Sequence, residues 1–179
     1  MSEGLSRRGL LTIAAAGTVA AGCGFQPVYM PTASGRFGVA ERELAAVDVG
    51  LIAERPGQLL RQALQERLAS DGGQPHLYDL KVNFWIAGEA VGIQRDTSAS
   101  RIRLLGTANW ALTARDPGRT QLTTGSARSL DGFNLFDSQF FASDMENTQV
   151  QKRIAEAVAD QVALQLALWF RKRAGTAAG

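Results

Sequence analysis

Tyr78-Asp79-Leu80-Lys81-Val82-Asn83-Phe84-Trp85-Ile86 alternates apolar with polar over most of its length, and its period of two decides the fold. Tyr78, Leu80, Val82, Phe84 and Ile86 share one face, while Asp79, Lys81 and Asn83 take the other, as in a strand with one buried side. A second alternating run follows from Arg101 to Thr113. It sets Ile102, Leu104, Ala108, Trp110 and Leu112 against Arg101, Arg103, Thr107 and Asn109. Asp116-Pro117-Gly118 is a turn signal, and Thr120 to Leu130 reads as a third strand, richer in Thr and Ser.

Helical periods flank this block. Upstream, Ala45 to Ile52 reads as a short strand with Val47, Val49 and Leu51 on one face. Arg55-Pro56 then opens a helix, since proline in the first turn forfeits no helical bond. Leu59, Leu60, Ala63, Leu64 and Leu68 form its stripe, and Asp71-Gly72-Gly73 is the expected stop. Downstream, Phe133, Phe136, Phe140 and Phe141 read as an aromatic loop. Ser143-Asp144-Met145-Glu146 fits a capping box, opening a helix to about Arg173. There Val150, Ile154, Val158, Val162, Leu166 and Phe170 recur every four residues, with Leu164, Leu168 and Trp169 widening the stripe. The order β-α-β-β-β-α predicts an α+β two-layer sandwich: a four-stranded mixed sheet with two amphipathic helices on one face. The other face is left polar, with Asp79, Lys81, Asn83, Arg101, Arg103, Thr107, Asn109, Gln121 and Thr123. Taken alone, that is the wet side of an antiparallel sheet.

The N-terminus reads as an export signal. Arg7 and Arg8 precede an uncharged run from Gly9 to Gly22, too short to span a bilayer as a permanent helix. The run ends in Ala20-Ala21-Gly22-Cys23, with small residues before the only cysteine of the chain. Cys23 is the expected lipid-bearing first residue of the mature protein, because a lone cysteine cannot form an internal disulfide. Two or more acyl chains there would anchor the protein stably. Ser6-Arg7-Arg8-Gly9-Leu10-Leu11 also resembles a twin-arginine signal, though any basic n-region satisfies the general route. Gly24 lacks the acidic character associated with inner-membrane retention, which favours the outer membrane. The expected organisation is a signal peptide at 1–22, an acylated tether at 23–43, one domain at 44–174 and a disordered tail at 175–179.

The mature chain carries 17 basic against 16 acidic residues, no excess of the kind nucleic-acid binding needs. His76, the only histidine, lies beside Pro75 and reads as an exposed loop residue. Neither a triad nor a zinc site of several His or Cys ligands can be assembled around it. No phosphate-cradling loop and no nucleophile elbow occurs. The sequence predicts a non-enzymatic protein without cofactor or metal.

Several weak motifs in order resemble the lipopolysaccharide-assembly lipoproteins of the LptE type. They are Gly22-Cys23-Gly24-Phe25-Gln26-Pro27-Val28-Tyr29, the hairpin Gly92-Ile93-Gln94-Arg95-Asp96-Thr97-Ser98-Ala99-Ser100-Arg101, Leu104 to Ala111, Gly125-Ser126-Ala127-Arg128-Ser129, and the closing helix. The resemblance implies a non-catalytic partner that plugs a large outer-membrane β-barrel of the LptD type, assists its assembly and helps deliver lipopolysaccharide. It also implies that the polar sheet face meets a barrel lumen, itself polar. An auxiliary lipoprotein of an ABC-type intermembrane lipid transporter is the alternative of another class. Arg95 at the hairpin tip, with Arg101, Arg103 and Lys81 as a cross-strand neighbour, would suit lipopolysaccharide phosphates, since guanidinium binds phosphate in a bidentate manner. A solvated hairpin with charges for solubility is the plain reading of the same residues, and contact with acidic groups on a barrel wall is a third.

Overall fold

The computed structural model describes residues 39–70, 73, 75–93, 99–135 and 140–177. The leader, Cys23 and Arg95 lie outside the described residues. The elements are α1 (Val39–Ala45), β1 (Val47–Val49), α2 (Glu54–Leu68), β2 (Tyr78–Ile93), β3 (Ala99–Ala114), β4 (Gln121–Asn134) and α3 (Phe140–Ala177). The four strands form one mixed sheet in the order β1-β2-β3-β4, with β1 parallel to β2 and the other pairs antiparallel. This is the two-layer α+β architecture that the alternating strands require.

The even-numbered residues of β2 and β3 build the core. Leu80, Phe84, Leu104, Ala108, Trp110 and Leu112 are buried against Leu60, Leu64 and Leu68 of α2 and the four-residue stripe of α3. All six members of that stripe, Val150 to Phe170, are buried. It is widened by Ala155, Ala159, Ala163 and Ala167, whereas Leu164 and Leu168 stand 44% and 50% exposed, contrary to the sequence expectation. The reason is angular. Gln161 and Gln165 already reach the margin of the sheet, and Leu164 and Leu168 lie on the flank beyond them.

Element ends differ from the sequence reading in instructive ways. Val39–Ala45 is helical where an extended approach was expected, with Ala40 and Leu44 buried. The first strand is only Val47–Val49; Leu51 is 84% exposed and Ile52 takes the buried position instead. The stop of α2 is Ala69, in the left-handed region at φ 52, where its N–H and that of Ser70 return to the Glu66 and Gln65 carbonyls. The closing helix begins at Phe140, before the Ser143 capping signal, and includes residues 175–177 of the expected tail. β4 continues to Asn134, so Phe133 is a buried core residue in a strand and not part of a loop. Gly132 permits that extension: a Cβ there would stand 2.6 Å from the Ile102 carbonyl oxygen. His76 is half-buried, and its Nδ1 is buried with no hydrogen-bond partner among the described residues.

Candidate functional site

The sheet face turned away from the helices is the candidate site, and the register orders it in rows. Across β2, β3 and β4 the rows are Lys81-Ala111-Thr124, Asn83-Asn109-Ser126, Trp85-Thr107-Arg128, Ala87-Leu105-Leu130 and Glu89-Arg103-Gly132. Beyond these, Arg101 lies between Val91 and Asn134. The first two rows and the backbone around Gly125 form a shallow depression of about 600 Å³. Gly125 is required there, because a Cβ would come within 2.7 Å of the Trp110 indole on the other side of the sheet. That indole is fixed by donating its Nε1–H to Gln165 Oε1 (3.2 Å).

The face is less uniformly polar than the sequence suggested. Thr107 is buried, and Thr123 pairs with Leu112 on the helix side. Trp85 (42% exposed), Leu105 and Leu130 add an apolar band between the polar rows and the arginines. Leu105 sits directly opposite Leu130, at the spacing of a cross-strand pair. The period-two signal missed this band because Leu105 follows Leu104, and two consecutive leucines do not declare which one faces inward.

Arg101 and Arg103 do share this face, both exposed. Lys81 shares the face but is not their cross-strand neighbour. It pairs with Ala111, eight residues along β3 from Arg103, or about 26 Å at the usual strand rise. The neighbours of Arg103 and Arg101 on β2 are Glu89 and Val91. Among the described residues, Lys81, Arg101, Arg103 and Arg128 form no ion pair. At the base of the sheet the pattern is the opposite. There Arg115 pairs with Asp48 and with Asp79 (2.6 Å), and Arg119 reaches Asp79 at 3.5 Å. The Asp79 hydrogen bond holds the Arg115 guanidinium above its ordinary range. Beside the arginines, Asp131 is held below the usual carboxylate range, first by the Arg153 hydrogen bond (2.7 Å), then by the Gly132 N–H. Asp131 is thus hydrogen-bonded on the helix side, and the charge of Arg101 adds a smaller part to the same lowering without forming an ion pair.

Among the described residues no three His, Cys, Asp or Glu side chains are placed to hold a metal ion. No described helix is long and apolar enough to cross a membrane. Among the described residues the face presents cations without ion pairs, side-chain amides and an exposed indole.

Comparisons agree with this architecture. The family model for LptE, lipopolysaccharide-assembly, matches residues 44–166. No curated protein sequence matches the chain. A candidate lipoprotein of Caulobacter crescentus CB15 superposes with a TM-score of 0.61 at 23% identity, covering 74% of this chain and 96% of that one. Rare lipoprotein B of Shewanella oneidensis gives 0.52 at 12% identity, covering 72% and 98%. A minor lipoprotein of Acinetobacter baumannii gives 0.51 at 11%, covering 68% and 90%. At these identities the likeness is one of fold.

Proposed function

Because the chain belongs to the LptE lipopolysaccharide-assembly family, we propose that it is an outer-membrane lipoprotein, anchored through acylated Cys23, that plugs an LptD-type β-barrel. In this reading the chain is a non-enzymatic partner in lipopolysaccharide assembly, and its membership of the family supports that role. The observation that carries the reading is the open sheet face. It is broad, lies on the side away from the helices, and holds Lys81, Arg101, Arg103 and Arg128 without ion pairs among the described residues. Such a face is matched in polarity to a barrel lumen. Arg101 and Arg103, with Arg95 as the sequence reading adds it, would contact lipopolysaccharide phosphates in bidentate fashion. Lys81, about 26 Å away along the sheet, would serve a separate anionic group.

Two measurements test this. Affinity purification of the lipidated chain from its own membranes should recover a large β-barrel in stoichiometric amount; recovery of an ABC transporter instead contradicts the reading. Titration of the mature chain with lipopolysaccharide at low and moderate salt should give salt-dependent binding, since exposed charges are screened. A folded Arg95, Arg101, Arg103→Gln variant should bind more weakly and with less salt dependence. Unchanged binding would remove lipid recognition from the hairpin.

A further inference from the structure

Side chains close three stretches of the sheet's edges. On β4, Gln161 Oε1 accepts from the Arg128 N–H (3.3 Å) while its Nε2 donates to the Arg128 carbonyl (2.9 Å). Gln165 Nε2 donates to the Ser126 carbonyl (3.0 Å), and Asp131 Oδ1 accepts from the Gly132 N–H (2.7 Å). On β1, Arg61 Nε donates to the Val49 carbonyl (3.2 Å). Among the described residues the longest stretch of edge without such a cap is β2 beyond the end of β1.

That edge is open. The Tyr78 N–H donates to the Ala46 carbonyl and the Leu80 carbonyl accepts from the Gly50 N–H, so even-numbered residues of β2 turn their backbone groups away from β3. β1 ends at Val49, opposite Leu80, and the β2–β3 register runs without a bulge through Val91. The N–H and C=O groups of Val82, Phe84, Ile86, Gly88 and Ala90 therefore point outward. Among the described residues none bonds to them. The devices that blunt natural edges, namely proline, lysine and bulges, are missing from residues 82–90, which carry a single charge at Glu89.

We propose that this edge docks one extended strand of another polypeptide by main-chain hydrogen bonds, the mode known as strand addition. Resting on the barrel-partner reading above, the strand is one from a membrane β-barrel whose seam has not yet closed. Three features fit that occupant. The open stretch is nine residues, the length of one membrane-spanning strand, which takes about 9–11. A closed barrel has no edge to offer, so only an open one can pair here. Barrel strands alternate apolar with polar side chains, and β2 offers half-buried Val82 and Ile86 on one side and a mixed exposed set, Asn83, Trp85, Ala87 and Glu89, on the other. Main-chain pairing also tolerates variation among the strands of one partner.

Amide hydrogen exchange on the mature full chain tests the proposal. The probe is a synthetic ten-residue strand alternating valine and threonine with lysines at its ends, beside a copy carrying backbone N-methyl groups at every second residue. In the free protein, the amides of Val82, Phe84, Ile86, Gly88 and Ala90 should exchange at least about tenfold faster than those of Asn83, Trp85 and Ala87, which face β3. The peptide should slow them by about tenfold or more, and the N-methylated copy should not. Gly88→Pro and Ala90→Pro each remove one outward N–H without touching the β2–β3 ladder; both should weaken protection at the remaining amides, while Gly88→Ala should not. No slowing by either peptide, or equal slowing by both, overturns the proposal. So does protection already present in the free chain, which would mean the N-terminal segment holds the edge. Protection that grows with protein concentration overturns it in favour of a second copy. If a barrel is recovered from membranes while the peptide leaves the edge unprotected, the edge inference falls and the function reading stands. If the peptide protects but no barrel is recovered, strand docking stands and its assignment to a barrel falls.

Discussion

The carboxamide of Gln161 binds both the N–H and the C=O of Arg128, at 3.3 and 2.9 Å, occupying the place that a neighbouring strand's peptide group would take. A helix side chain thus ends the sheet at β4. Gln165 extends the same device one row further, bonding at once to the Ser126 carbonyl and to the Trp110 indole. The substitution Gln161→Leu should cost about 1 kcal/mol, the net worth of a typical exposed-edge pairing. It should also create self-association through β4. Light scattering during size-exclusion chromatography checks the second effect; a variant that stays monomeric at high concentration would show the cap to be ornamental.

The approach of α3 to the sheet depends on Gly106. A Cβ there would meet the Ile154 Cγ2 methyl inside contact distance and the Phe84 ring at 3.2 Å. Gly106→Ala should therefore destabilise by about 1–3 kcal/mol through overpacking. Ile154→Ala alone should cost about 2–5 kcal/mol, because Ile154 is fully buried. In the double variant the new methyl occupies part of the vacated space, so the combined loss should fall short of the sum. Denaturant melts of the four proteins measure this, and simple additivity would place the helix elsewhere.

Tyr78 gives a test at alkaline pH. Burial, then the hydrogen bond from its hydroxyl to Glu43 Oε2 (2.7 Å), pushes its pKa up to about 12. A folded-state pKa raised above the unfolded value contributes stability that is full below about 10 and is lost as pH rises towards 12. Absorbance titration of tyrosinate should show a step near 12 that vanishes in Tyr78→Phe and moves down in Glu43→Gln. An unmoved step in Glu43→Gln would assign the shift to burial alone.

How much of this was legible in the sequence depended on whether one period dominated a segment. Tyr78 to Ile86 and the stripe from Val150 to Phe170 were legible, since one face of each packs on the core, fully buried along the stripe and alternately buried and half-buried along the strand. β4 was not legible past Leu130, because Asp131-Gly132 looks like a turn. In the structure Asp131 pairs with Arg153 and Gly132 lets the chain pass close to Ile102, so the strand continues to the buried Phe133. The short β1 was drawn too long because Leu51 keeps the alternation after the chain has left the sheet.

The site was legible in part for the same reason. Alternation places Arg101 and Arg103 on one face whatever the pairing, but the neighbour of Arg103 is set by register, which depends on where the hairpin turns. The long β2–β3 ladder puts Glu89 there and carries Lys81 to the far end of the face. The capped and open edges had no sequence signal, since they depend on which residues of α2 and α3 reach the sheet.

The proposed lipid anchor rests on one residue. Cys23→Ser should abolish labelling by a metabolic fatty-acid probe and release the protein from the membrane fraction, as the chain has no other thiol. Label persisting in the variant would contradict the proposed anchor.

The most direct test of the account is residue-specific photo-crosslinking in living cells. A crosslinking amino acid at Asn109 or Thr124, on the open face, should capture a large β-barrel, whereas one at Leu164, on the exposed flank of α3, should capture it far less. Equal capture from both positions, preferential capture from Leu164, or no barrel from the open face would contradict the claim that this sheet face rests against a barrel wall.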